Sequence, residues 1–265
     1  MTPPPIQITD LCFSRGDQEI LHNVSFTIAP NSLVAVVGPN GGGKTTLLQI
    51  ILGELIPQYG TVRVFGRSPA EVRTRIGYVP QSLPFDSRFP VSVAEVVLMG
   101  RVAKSRLGFY ARKDRAIVSE ALERVGMPGF ENRFFADLSG GERQRVMIAQ
   151  VLAGGSELLL LDEPVANVDP EHASRLHDLF SGLTESMTVM MVSHNLSVVT
   201  GHATHVLCVN HGAQLHPIGE VAAATFRESF GGELTEIHHG AECQVTDPFP
   251  ALHTPHHGCK GCGRQ

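Results

Sequence analysis

No apolar run in the 265 residues approaches the roughly 18 needed to cross a bilayer. The segment Val93 to Met99 is already interrupted by Glu95. The chain therefore supplies no membrane span of its own. Lysine and arginine (21) are outnumbered by aspartate and glutamate (26), for a formal net charge of −5. No local basic stripe offsets that balance, so no nucleic-acid partner is expected. Cysteine is scarce: five residues, odd in number and unevenly spaced, which argues against a disulfide framework and for a reducing compartment. The opening Met1-Thr2-Pro3-Pro4-Pro5 lacks the basic and apolar regions of a secretion signal, and a cytosolic setting is the expectation. The hydrophobic share of 42% against 18% charged is that of a globular protein. It is enough to fill the core of one large α/β domain or two small ones.

Three segments, Ile6 to Phe13, Ile20 to Ile28 and Thr61 to Phe65, read as short strands separated by turn residues such as Arg15-Gly16-Asp17, and predict a small antiparallel sheet. Leu33 to Val37 is an unbroken apolar run that passes through a glycine-rich loop into a helix predicted over Lys44 to Leu55. Leu158 to Leu161 and Val189 to Val192 have the same continuous apolar character, expected of parallel strands covered on both faces. Helical patterns over Val93 to Met99, Ala111 to Val125 and Glu142 to Ala153 predict a helical subdomain at about 84–155. Past about Glu236 the periodicity stops, and 238–265 reads as a loosely ordered tail rich in His and Cys. The expectation is an α/β fold with a mostly parallel central sheet, an antiparallel β subdomain and a helical subdomain.

Gly38-Pro39-Asn40-Gly41-Gly42-Gly43-Lys44-Thr45 satisfies G-x-x-x-x-G-K-[ST] and lies between the strand and helix that this phosphate-binding motif demands. Glycines let backbone N–H groups turn inward onto phosphate oxygens, and the start of the following helix adds its dipole. Lys44 supplies a point charge for the β- and γ-phosphates, and the Thr45 hydroxyl a Mg²⁺ ligand. The expected nucleotide contacts run through these residues and Thr46. Leu158-Leu159-Leu160-Leu161-Asp162-Glu163 ends a buried strand in two carboxylates, at the strand edge where open α/β sheets bind ligands. Asp162 then serves Mg²⁺ and Glu163 is left as a base for an attacking water, which is a hydrolase arrangement.

Leu138-Ser139-Gly140-Gly141-Glu142-Arg143-Gln144-Arg145 resembles the signature motif of ATP-binding-cassette ATPases. Ser139 and Glu142 also form the S-x-x-E capping box of a helix start, but a cap does not account for the two glycines between them. The resemblance covers nearly the whole chain up to the tail. It implies that Gln81 is the Q-loop glutamine, also a Mg²⁺ ligand, that Asp169 is the D-loop aspartate and that His194 is the switch histidine acting with Glu163 and Gln81 in catalysis. It further implies that Phe13 is the aromatic on which adenine stacks. The family architecture implies a head-to-tail pair of cassettes, with ATP held by the phosphate loop of one and by Ser139, Gly140, Gly141 and Glu142 of the other. Glu142 stands where glutamine is commoner and Asn195 where aspartate is usual.

A single cassette without a membrane span needs a partner or another task. Phe85 to Arg101 resembles the region of bacterial metal and metal-chelate importers that meets the permease, and Val192 to Leu196 and Val206 to His211 look like segments of zinc and manganese uptake ATPases. The resemblance implies an importer ATPase on the cytoplasmic face of the membrane, a separate integral permease, a second identical cassette and an extracytoplasmic metal-binding protein. Siderophore or cobalamin importers, and the soluble ATPase of iron–sulfur cluster assembly, are the alternative readings. In the tail, His253, His256, His257, Cys259 and Cys262 lie within ten residues, and Cys259-x-x-Cys262 has the spacing of half a Zn²⁺ site.

Overall fold

The computed structural model describes residues 2–81, 86, 88–104, 110–163, 179–193 and 203–218. Two sheets carry the architecture. Strands β1 (Ile6–Arg15), β2 (Gln18–Ile28) and β4 (Tyr59–Val64) form an antiparallel sheet in the order β2-β1-β4. The six-stranded sheet runs β5-β6-β7-β3-β8-β9. It is built from β3 (Leu33–Val37), β5 (Ile76–Val79), β6 (Leu158–Asp162), β7 (Thr188–Val192), β8 (His205–Asn210) and β9 (Gly212–Pro217). Its pairings are parallel except for the β8–β9 hairpin at one edge. The α/β fold, with a mostly parallel sheet and a separate antiparallel one, is as expected from the sequence.

The apolar runs of β3, β6 and β7 are continuous because both faces of this sheet are covered. Alternate residues divide between two cores. Leu33, Ala35, Val37, Leu159, Leu161, Val189 and Met191 pack with α2 (Val93–Met99), α3 (Arg112–Arg124) and α4 (Gly140–Gly154). Val34, Val36, Leu158, Leu160, Met190 and Val192 pack on the other face with α1 (Lys44–Ile51) and the inner side of the antiparallel sheet. A Cβ on Gly77 of β5 would overlap the Val151 side chain, so the missing side chain is what lets α4 approach this strand closely.

Helix α1 is shorter than its apolar pattern predicts. It stops at Ile51 because Gly53 turns left-handed (φ 72°). The Gly53 N–H then donates to the Ile50 carbonyl and the Glu54 N–H to the Gln49 carbonyl, at 3.0 and 2.9 Å. This is the Schellman arrangement, which satisfies the last carbonyls of the helix and ends it. Helix α4 begins two residues earlier than its periodicity suggests, since Ser139 caps it from outside. Strands β5, β8 and β9 were not expected: β5 is four residues long with a glycine inside, and β9 is an edge strand ending in Pro217. Among the described residues, no helix is long and apolar enough to cross a membrane.

Candidate active site

The phosphate loop leaves β3 at Gly38 and enters α1 at Lys44, as the motif requires. Gly38 takes φ 148°, and a Cβ there would overlap the Val209 carbonyl of β8. The loop is thus wedged against β8, and a further bond from the His211 N–H to the Gly42 carbonyl (3.0 Å) pins it. Lys44 is 7% exposed, and its ammonium donates to the Gly38 and Pro39 carbonyls at 2.9 Å each. Burial lowers its pKa below that of a free lysine, while the charges of Glu163 and Asp162 push the other way. The cation is therefore held at the loop between backbone carbonyls and two carboxylates, where a polyphosphate would replace those weaker partners.

Asp162 and Glu163 close β6 at the same edge of the sheet. Asp162 is 7% exposed. Burial raises its pKa above the usual carboxylate range and the negative charge of Glu163 adds to this, opposed by the Thr45 hydroxyl, the Lys44 ammonium and the Tyr78 phenol. A carboxylate beside a hydroxyl at the mouth of the loop is a hard-oxygen donor pair that fits Mg²⁺. Thr45 and Asp162 would hold that ion, which when bound neutralises phosphate charge. Tyr78, on the neighbouring strand β5, hydrogen-bonds Asp162, and burial with the adjacent carboxylates pushes its phenol up to about 12. The sequence reading missed this residue; the sign was an aromatic in a short strand three residues ahead of Gln81.

Glu163 sits in left-handed backbone (φ 50°), a conformation costing a non-glycine residue on the order of 1 kcal/mol. Its N–H donates to the Val192 carbonyl at 3.2 Å, so β7 helps fix the turn. The Gln81 side-chain amide donates to Glu163 Oε2 at 2.6 Å. The structure thus brings together Gln81, Asp162, Glu163, Lys44 and Thr45, residues up to 119 positions apart in the chain. Asp169, His194 and the tail residues His253, His256, His257, Cys259 and Cys262 lie outside the described residues.

Phe13 requires a correction. Its ring is 6% exposed and packs in the core with Leu11 and Leu21, Leu21 being its cross-strand neighbour. A side chain enclosed in this way offers no face on which adenine can stack. Arg15 is the exposed residue at the end of β1.

The signature segment opens α4. Ser139 is its N-cap: Ser139 Oγ accepts from the Glu142 N–H at 3.3 Å, and Glu142 Oε2 accepts from the Ser139 N–H at 2.8 Å. The Ser139 N–H, and then the Ser139 hydroxyl, hold the Glu142 carboxyl below its ordinary pKa. Ser139 and Gly140 are exposed, and a Cβ on Gly140 would meet nothing within 4 Å. Among the described residues, no packing calls for glycine at this position.

Residues 21–166 match the family model described as ABC transporter. The zinc uptake system ATP-binding protein of Listeria monocytogenes is 38% identical over 211 residues, 77% of this chain and 82% of the relative. The manganese transport system ATP-binding protein of Halalkalibacterium halodurans is 38% identical over 213 residues, 78% of this chain and 83% of the relative. A metal-chelate type ABC transporter, solved in an inward-facing conformation, superposes with a TM-score of 0.75 at 27% identity, over 86% of this chain and 88% of that one. The phosphate loop, the paired carboxylates and the capped signature segment thus stand on a fold and sequence of known kind, and the chain belongs to the ABC transporter family as its ATP-hydrolysing cassette.

Proposed function

We propose that this cassette drives uptake of a divalent metal ion, zinc or manganese, through a separate membrane permease. Two cassettes close head to tail over ATP. The observation that carries the reading is the bond from Gln81 to Glu163, which ties the hydrolytic base to the segment leading into α2. A change at the γ-phosphate is then transmitted to the helices, where Phe89, Met99, Val102 and Phe134 are exposed apolar residues available to a membrane partner. Relatives named for zinc and manganese transport support the choice of cargo.

In this reading Lys44 and the loop backbone bind the β- and γ-phosphates, Glu163 accepts the proton of the attacking water, and His194 assists at the γ-phosphate. Gly38, Pro39, Asn40, Gly41, Gly42, Gly43, Thr45 and Thr46 line the same anion site. Ser139, Gly140, Gly141 and Glu142 contact the nucleotide held by the opposite cassette, and Asp169 lies at the cassette junction. The space at Gly140, open among the described residues, supports this reading, since it leaves room for a second cassette to approach. The ATPase works at the cytoplasmic face of the membrane with an extracytoplasmic metal-binding protein in the full complex, and the His/Cys tail offers ligands for Zn²⁺.

The test is affinity purification of the Glu163→Gln protein with ATP from detergent-solubilised membranes, followed by mass spectrometry. The expected companions are a polytopic permease and a metal-binding protein whose metal identifies the cargo. Recovery of soluble assembly proteins without a permease would contradict the reading.

A further inference from the structure

The outer face of the antiparallel sheet carries a group of side chains that ATP hydrolysis does not use. Cys12 on β1 and Glu19 and His22 on β2 present a sulfur, a carboxylate oxygen and an imidazole nitrogen within 4.8 Å of one another. A regular ladder would not bring them together, because residues three apart in a strand point to opposite faces. Phe13 pairs with Leu21 and Ser14 with Glu19, which leaves Ile20 as an extra residue in β2. Leu11 pairs with Val24, so His22 and Asn23 together oppose Cys12. These two bulges re-aim β2, so that Glu19 and His22 share a face with Cys12 while Phe13 and Leu21 stay in the core. Asn23, left-handed at φ 46°, donates its N–H to Cys12 Sγ at 3.4 Å. His22 Nδ1 lies 2.8 Å from Glu19 Oε1. The sulfur is buried (Cys12 4% exposed), whereas Glu19 and His22 are about half exposed, so a cation would enter from solvent and settle against the thiol.

We propose that Cys12, Glu19 and His22 form a binding site for Zn²⁺ or a similar borderline-soft divalent ion, with water as the fourth ligand. One thiolate, one imidazole and one carboxylate are the donors that Zn²⁺ takes in tetrahedral sites. Its bond lengths place ligand atoms roughly 3.3 to 3.7 Å apart, so side-chain shifts of about an ångström close the cluster on an ion. The site adjoins the phosphate loop. The His22 N–H donates to the His211 carbonyl at 2.6 Å, and the His211 N–H donates to the Gly42 carbonyl at 3.0 Å. Ring nitrogen Nδ1 of His211 also lies 3.2 Å from the Ile20 carbonyl. Metal binding at β2 and nucleotide binding at the loop are therefore linked, each changing the affinity for the other. The linkage rests on the loop binding ATP; the metal site does not.

The test uses the full chain carrying Cys243→Ser, Cys259→Ser and Cys262→Ser, so that the tail contributes no thiolate, with Co²⁺ and Zn²⁺ as probes. About one equivalent of Co²⁺ should bind with a thiolate-to-metal charge-transfer band that Zn²⁺ displaces. Both the band and that equivalent should be lost on further substitution by Cys12→Ser or His22→Gln. His22 is on the surface, so the second variant should unfold at the parent's temperature and separates lost ligation from lost folding. An unchanged band and stoichiometry in the His22→Gln variant would overturn the site. Zn²⁺ should also shift the affinity of the parent for ATP by about fivefold or more, and leave the His22→Gln variant unmoved. An unshifted affinity in a parent that binds Zn²⁺ would overturn the linkage.

Discussion

Asp162 and Glu163 occupy a place where stability and chemistry conflict. Two adjacent carboxylates, one of them buried and the other in left-handed backbone, are held against the same strand end. Because burial and Glu163 raise the folded pKa of Asp162, its ionisation opposes folding as pH rises through the carboxylate range. Asp162→Asn should therefore raise stability at neutral pH by about 1 kcal/mol, measured by thermal or denaturant unfolding, while Mg²⁺-dependent ATP hydrolysis is lost. Unchanged hydrolysis in that variant would remove Asp162 from the metal site. The residue scale is also where sequence reading was strongest and where it failed. Lys44, Asp162 and Glu163 were legible because their chemistry requires a fixed local pattern. Phe13 was misread because an aromatic near a strand end looks the same in a core as in a stacking platform, and cross-strand pairing with Leu21 decides between them.

Helix ends at this site combine structural and functional roles. The cap of α4 satisfies its first N–H groups through Ser139 and Glu142, yet Gly140 answers to no neighbour among the described residues. Gly140→Ala should leave the unfolding midpoint equal or slightly higher, by up to about 1 kcal/mol, since alanine is the better helix former. ATP turnover should nonetheless fall at least about tenfold, if a second cassette approaches there. A variant as active as the parent would mean that nothing docks on this turn. Gly53 is the reverse case. Its left-handed φ closes α1 and its would-be Cβ lies 3.0 Å from Pro69, so Gly53→Ala should destabilise by about 1 kcal/mol or more in chemical denaturation. The longer helix expected over Lys44 to Leu55 followed the apolar pattern past this glycine; hydrogen-bond geometry rather than hydropathy sets the end. Strand β5 escaped notice for a related reason, because Gly77 weakens a strand signal while serving the approach of Val151 from α4.

Across the whole molecule, the helices on one face of the parallel sheet are tied to each other by a partly enclosed ion pair. Arg101, just beyond α2, meets Asp114 at the start of α3 at 2.9 Å and donates to the Ala153 carbonyl near the end of α4 at 3.2 Å. The Ala111 N–H, and then the Arg101 guanidinium, hold the Asp114 carboxyl below its ordinary pKa. A depressed folded pKa contributes stability above the unfolded value, and that contribution disappears as pH falls through the folded one. Arg101→Ala should therefore lower the melting temperature near neutrality, and the gap to the parent should narrow on acidification below the ordinary carboxylate range. A gap independent of pH would assign the loss to packing alone. The layered α/β plan was legible because buried parallel strands advertise themselves as continuous apolar runs. The meeting of Gln81 with Glu163 was not legible from spacing, since only the pairing of β5 with β6 brings positions 81 and 163 into contact.

The measurement that bears most directly on the central claim is ATP turnover and assembly state of the Glu163→Gln protein. The side chain keeps its size and the phosphate and metal ligands are untouched, so ATP binding with Mg²⁺ should persist. Turnover should fall by at least about 10²-fold, and an ATP-bound dimer should accumulate in size-exclusion chromatography. Turnover at the parent's rate, with no dimer in ATP, would contradict the assignment of Glu163 as the base of a two-cassette ATPase.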